Sequence, residues 1–122
     1  MEFGYILKLT NKNLYKEIQL PHNSERFRVG TYAECDVRLY KDDFFEQFEL
    51  DFINLNNCWK VSCSDNIYFD IGDIRKLISC DLKHGDIVTV RYQKFNQDVF
   101  KMEFLLDFDN VNQPYDCKFD LS

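Results

Sequence analysis

Gln47-Phe48-Glu49-Leu50-Asp51-Phe52, followed after the turn Asn54-Leu55-Asn56-Asn57 by Cys58-Trp59-Lys60-Val61-Ser62-Cys63, decides how this chain folds. Phe48, Leu50 and Phe52 fall on one side of an extended backbone, and Gln47, Glu49 and Asp51 on the other. Trp59, Val61 and Cys63 form the next apolar set, opposite Cys58, Lys60 and Ser62. A period of two with one apolar and one polar face predicts half-buried antiparallel strands. The same rhythm runs outward in both directions. Phe3, Tyr5, Leu7 and Leu9 alternate, residues 10–13 read as a turn, and Leu14, Lys16, Ile18 and Leu20 continue the pattern as a predicted hairpin. Pro21, Asn23 and Ser24 break it. Short extended runs are expected at 26–30, 36–40 and 66–71, the last closed by Gly72-Asp73. Residues 74–80 fit either a strand or one helical turn. Lys83-His84-Gly85-Asp86 predicts a turn before strands at 87–92 and 99–108, the latter with Phe100, Met102, Phe104 and Leu106 on one face. About ten short strands with regular turns predict an all-β sandwich or barrel.

The 122 residues are one domain's worth of chain. With 15 Lys and Arg against 21 Asp and Glu, the net charge of −6 argues against a dedicated binder of nucleic acid or anionic membrane. Aromatic residues reach 16%, twelve of them Phe, a composition that favours strands. No apolar run approaches the roughly 18–20 residues of a membrane helix. Glu2 and an alternating segment follow Met1, without a basic region or unbroken apolar core, so no secretory signal is expected. The five cysteines, Cys35, Cys58, Cys63, Cys80 and Cys117, are odd in number and irregularly spaced. They are read as reduced thiols of a cytosolic chain. The sharper alternative, a zinc site, lacks any Cys-x-x-Cys pair, and His22 and His84 lie far from the cysteine pairs. Neither metal nor cofactor is expected.

Catalytic chemistry has little to stand on. Nucleophilic catalysis needs a thiolate beside a base, and Cys80 with His84 is the only such pair. His84, however, sits in a turn expected to face solvent. His22 has no nucleophile near it. The carboxylate pairs Asp42 and Asp43, and Asp107 and Asp109, fall in turns, where solvation explains them. Four glycines leave no phosphate-cradling loop. The chain reads as a non-enzyme.

Residues 26–39, Arg-Phe-Arg-Val-Gly-Thr-Tyr-Ala-Glu-Cys-Asp-Val-Arg-Leu, carry the informative motif. A hydrophobic strand ends at Val29-Gly30, a short loop follows, and Asp36-Val37 with Leu39 begins the next strand. Trp59-Lys60-Val61 and Leu82-Lys83-His84-Gly85-Asp86-Ile87-Val88 follow in order. Together these pieces, from Phe3 to about Leu106, resemble the forkhead-associated (FHA) domain. The resemblance implies an FHA-like β-sandwich of about eleven antiparallel or mixed strands over residues 1–108, with recognition loops at one end. It also implies phosphothreonine peptides as the family's usual ligand. In the family an Arg after the glycine, a Ser and backbone groups hold the phosphate, a His buttresses the loop and an Asn grips the peptide. A doubly charged phosphate needs such charge-assisted donors.

Here the Arg position is Thr31, the Ser-x-x-His stretch falls on Phe45-Glu46-Gln47-Phe48, and the Asn-Gly pair on Asp65-Asn66. Lost donors and added carboxylates both oppose phosphate. The expectation is therefore a degenerate FHA domain that docks protein partners without reading phosphothreonine. The candidate binding residues at the loop end are Arg28, Thr31, Tyr32, Phe44, Phe45, Glu46, Asp65 and Asn66. Asn66 has either a peptide-binding or a plain turn role. Phe44 and Phe45 either anchor a partner or pack beneath the loop. The alternatives are a phosphopeptide reader rebuilt on Arg28, Arg38 and Lys41, and a structural spacer.

Such a domain is similar to the N-terminal cytoplasmic FHA-like domains of type VII secretion ATPases of the FtsK/SpoIIIE type. That resemblance implies a cytosolic domain of a membrane-anchored protein, no direct membrane contact by this domain, and other secretion components as partners. Richness in Asn, Lys, Ile and Phe suits a low-GC Gram-positive genome. Residues 109–122 are then a linker in which the alternation of Tyr115, Cys117, Phe119 and Leu121 forms either a further strand or the first strand of a second domain.

Overall fold

The structure, a computed structural model, describes residues 4–21, 24–56 and 58–107. The expectations for Phe3, His22, Asn57, Phe108 and the tail 109–122 with Cys117 lie outside the described residues. Among the described residues there are eleven strands: β1 Tyr5–Thr10, β2 Tyr15–Leu20, β3 Arg26–Gly30, β4 Val37–Arg38, β5 Glu49–Leu55, β6 Cys58–Cys63, β7 Ile67–Ile71, β8 Ile74–Leu77, β9 Ser79–Leu82, β10 Asp86–Tyr92 and β11 Asp98–Leu106. They form a six-stranded sheet in the order β2-β1-β11-β10-β7-β8 and a five-stranded sheet in the order β4-β3-β5-β6-β9. Every pairing is antiparallel except β3 with β4. Among the described residues no helix is long and apolar enough to cross a membrane.

The period-two pattern explains the sandwich. Leu7 and Leu9 of β1, Val88 and Val90 of β10, and Phe100, Met102 and Phe104 of β11 point inward from the larger sheet. Leu50 and Phe52 of β5 with Trp59 and Val61 of β6 point inward from the smaller one. These side chains, with Phe48, form one buried core. Burying each large side chain contributes about 1.5–3 kcal/mol.

Three segments depart from the strand expectations. Residues 44–48 keep the alternation but are loop, because a 3-10 turn at Lys41–Asp43 precedes them and Thr31 occupies the backbone of Phe48. Of residues 36–40 only Val37–Arg38 pairs, parallel to β3. Residues 74–80 are neither one strand nor a helical turn. β8 closes the first sheet, β9 closes the second, and exposed Ile78 joins them. Lys76 adopts φ 58° there, held by its N–H donating to the carboxylate of Asp70 at 2.9 Å. A bulge also marks β11, where Val90 opposes Phe100 and Arg91 opposes Asp98. Val99 is left without a partner on β10 and is buried along with Phe100.

The strand directions bring the β1–β2, β3–β4, β4–β5, β6–β7 and β10–β11 connections to one end. Gly30 sets how closely they gather. A Cβ there would overlap the carbonyl oxygen of Phe48 and lie 2.9 Å from the Cα of Glu49, both backbone atoms with no freedom to rotate away. Gly30→Ala is expected to cost about 2–3 kcal/mol through overpacking. Urea denaturation should show a lower midpoint with an unchanged slope.

Candidate functional site

Asp36 organises the β3–β4 loop by accepting the backbone N–H of Arg28 at 2.8 Å. The loop then folds back so that Leu39 donates its N–H to the carbonyl of Gly30 at 2.7 Å. Thr31 does not face the solvent with the other candidate residues. It is fully buried. Its hydroxyl accepts the N–H of Phe48 at 3.0 Å and lies 3.3 Å from the same residue's carbonyl, while its own N–H donates to that carbonyl at 3.0 Å. This corrects the expectation for Thr31: the side chain ties two loops together and has no surface to offer a ligand.

The loop 44–48 is braced from three sides. The side-chain amide of Asn66 donates to the carbonyl of Gln47 at 2.7 Å and to the carboxylate of Glu46 at 3.2 Å. The hydroxyl of Ser64 donates to the Asn66 side-chain oxygen at 2.8 Å and accepts the N–H of Glu49 at 3.1 Å. The phenol of Tyr92 accepts the N–H of Phe45 at 3.0 Å. Asn66 thus stands between the two expected roles, in the β6–β7 turn but spending its amide on the neighbouring loop.

The pair Phe44 and Phe45 divides between its alternatives. Phe44 packs beneath the loop, edge-on to Phe48 with ring centres 4.9 Å apart and to Phe100 at 6.3 Å. Phe45 is 61% exposed. Its ring rests against Tyr92 at 5.6 Å and Phe95 at 5.3 Å.

Tyr32, Glu46, Asp65 and Asn66 come together, lining a shallow cleft of about 620 Å³ with Ser64, Gln93 and Lys94. Arg28 is elsewhere, on β3 with its guanidinium 3.6 Å from Glu49 and 3.4 Å from the carbonyl of Glu34. Arg38, another cation considered for phosphate, donates its Nε–H to the carbonyl of Thr31 at 3.2 Å. In the cleft Lys94 lies 4.0 Å from the Glu46 carboxylate. The sequence reading missed Tyr92, Phe95 and Lys94. Tyr92 and Phe95, aromatics three residues apart at a polar turn, were the available signal.

The partly buried thiols of Cys63 and Cys80 have little nucleophilic character. Burial pushes Cys63 and Cys80 up to about 11, reinforced at Cys80 by the nearby Asp86 and Asp81. His84 stands at the opposite end of the sandwich, its Nδ1 accepting the N–H of Leu106 at 2.9 Å. Among the described residues no group of three or more His, Cys, Asp or Glu is placed to hold a metal ion.

Two outcomes follow. Asn66→Ala removes the amide that holds the Gln47 carbonyl, at a cost of about 1–2 kcal/mol. Hydrogen exchange should accelerate at residues 44–48 more than in β1 or β11. At pH 8 a thiol titrating near 11 is about one part in a thousand thiolate, so iodoacetamide should modify exposed Cys58 well before Cys63 and Cys80. Comparable rates at all three would contradict the burial.

No protein-family model and no curated protein matches the chain. Solved structures do. The Slr1951 protein from Synechocystis sp. is similar at a TM-score of 0.59 and 12% identity, over 86% of this chain and 97% of that one. The FHA-1 domain of Mycobacterium tuberculosis Rv1747 is similar at 0.53 and 13%, over 84% and 96%. The yeast Dun1 FHA domain, solved with a doubly phosphorylated peptide derived from Rad53, is similar at 0.52 and 18%, over 92% and 84%. The fold is therefore an FHA-like β-sandwich.

Proposed function

We propose that this FHA-like sandwich is a non-catalytic protein-docking module that does not read phosphothreonine. FHA neighbours solved with phosphorylated peptides support a protein-interaction role in general. The observation that carries the specific reading is Thr31. The position where the resemblance calls for an arginine holds a buried hydroxyl committed to the Phe48 backbone. Around it, the cleft that would take the phosphate presents Glu46 and Asp65, and the one lysine lining it already faces Glu46. Phosphate brought there meets like charge with no fork of donors to offset desolvation. Of the three cations of the rebuilt-reader alternative, Arg28 faces Glu49 and Arg38 engages the Thr31 carbonyl, while exposed Lys41 by itself supplies no bidentate fork.

The same reading makes this the cytoplasmic docking domain of a type VII secretion ATPase. It is supported by the order of the sequence motifs together with the loss of the phosphate-holding residues. The partners are then other components of that machine.

A phosphothreonine peptide library titrated beside its unphosphorylated twin tests the first statement. Both pools should bind alike, at millimolar strength or weaker. Micromolar binding that depends on phosphate would overturn the reading. For the second, a photo-crosslinker at Tyr32 in the native cell should trap components of a membrane secretion complex. Crosslinks confined to unrelated soluble proteins would count against it.

A further inference from the structure

We infer that the loop end carries a second recognition cleft, across the 41–47 loop from the first. It takes an extended, unphosphorylated peptide segment with an apolar anchor, a basic residue to one side and an acidic residue to the other. This rests on the docking reading above and gives it a place and a ligand chemistry.

The cleft measures about 760 Å³, within the range of pockets that bind organic ligands and far more than an ion needs. It lies between the β1–β2 turn, the 3-10 turn at Lys41–Asp43 and the β10–β11 turn. Its accessible apolar surface comes from Phe45 and half-buried Phe44, backed by the buried Tyr92, Val99 and Phe100. Beside the cleft, Phe45 is 61% exposed and Phe95 40%, their rings tilted against each other and both in contact with Tyr92. Exposed aromatic rings held in place by neighbours are the groups that concentrate binding energy at protein interfaces.

The two walls differ in charge. Lys12 of the β1–β2 turn and Lys101 of β11 line one from the larger sheet, where Thr10 is the cross-strand partner of Lys101 and the Asn11 side chain donates to the carbonyl of Val99 at 3.1 Å. Asp42 and Asp43 stand on the other. Asp98, also lining the cleft, is neutralised by Arg91 at 2.9 Å. Neither a polyanion nor a polycation matches such a field, since each would meet like charge on one wall. A segment with one charge of each sign matches both. Asn13, Asn96 and Gln97 line the same space, and amides can both donate to and accept from an extended backbone. That favours a peptide over a lipid chain.

The test selects random unphosphorylated 12-residue peptides against the full chain. The enriched peptides are then titrated into ¹⁵N-labelled protein. Enriched peptides should carry an apolar residue between a basic and an acidic one, and should shift the amides of residues 10–13, 42–45 and 92–101. Phe95→Ser, in an exposed turn and checked for folding by its own spectrum, should weaken binding about tenfold. Lys12→Glu should weaken the same peptides several-fold, and changing the peptide's acidic residue to Lys should restore them. Shifts confined to Tyr32, Glu46, Asp65 and Asn66 would overturn this inference while leaving the docking reading intact. Enrichment no greater than on an unrelated β-sandwich would overturn both. Equal binding by Lys12→Glu and the parent chain would overturn the charge assignment.

Discussion

The close approach of two backbones at Gly30 and Phe48 is the constraint on which the loop end depends. With no side chain at Gly30, β3 and the entry to β5 meet at a separation that any Cβ would forbid. That contact lets Thr31 reach both the N–H and the carbonyl of Phe48. It also lets Leu39 bond back to Gly30, which allows the short parallel strand β4 to form. Phe48 is then anchored in the core, and the loop before it must turn outward, carrying Phe44 inward and Phe45 to the surface.

The loop is held by hydrogen bonds that span long stretches of sequence. Asn66 and Ser64 reach it from the β6–β7 connection and Tyr92 from the end of β10, and each satisfies a backbone group that would otherwise be left unpaired. This bracing is specific. A backbone carbonyl and two N–H groups, all within residues 45–49, are met by side chains of definite length and position. The result is a rigid rim separating two clefts, one lined by Glu46, Asp65 and Asn66 and the other by aromatic rings. A rigid rim is what an interface needs, because little ordering entropy is then lost on binding.

Electrostatics separates this loop end from a phosphate site in a way that the fold does not. The fold places loops, while the residues on them decide the ligand. Arginines are present nearby, but Arg28 faces Glu49 and Arg26 forms a bidentate pair with Asp51 across the β3–β5 seam, at 2.9 and 2.8 Å. Their charges serve strand pairing on the solvent face, as the alternating pattern implies.

The strands and their inward faces were legible in the sequence alone. Phe48, Leu50 and Phe52, then Trp59 and Val61, announce their burial by period, because a strand's apolar face reports its own orientation wherever it pairs. The glycine turn and the late Leu-Lys-His-Gly-Asp turn were legible as well, since turns draw on a small set of residues. Tertiary structure alone decided the rest. Nothing local says that Thr31 is buried, that Phe44 turns in while Phe45 turns out, or that residues 74–82 pass from one sheet to the other. Those outcomes depend on Phe48, Tyr92, Phe100 and Asp70, which lie up to 56 residues away from the groups they hold, as Phe44 and Phe100 do at the loop end. A loop side chain takes its place from whichever other loops meet it at the same end of the sandwich, and that meeting is fixed by sheet topology, not by the residues beside it in the chain.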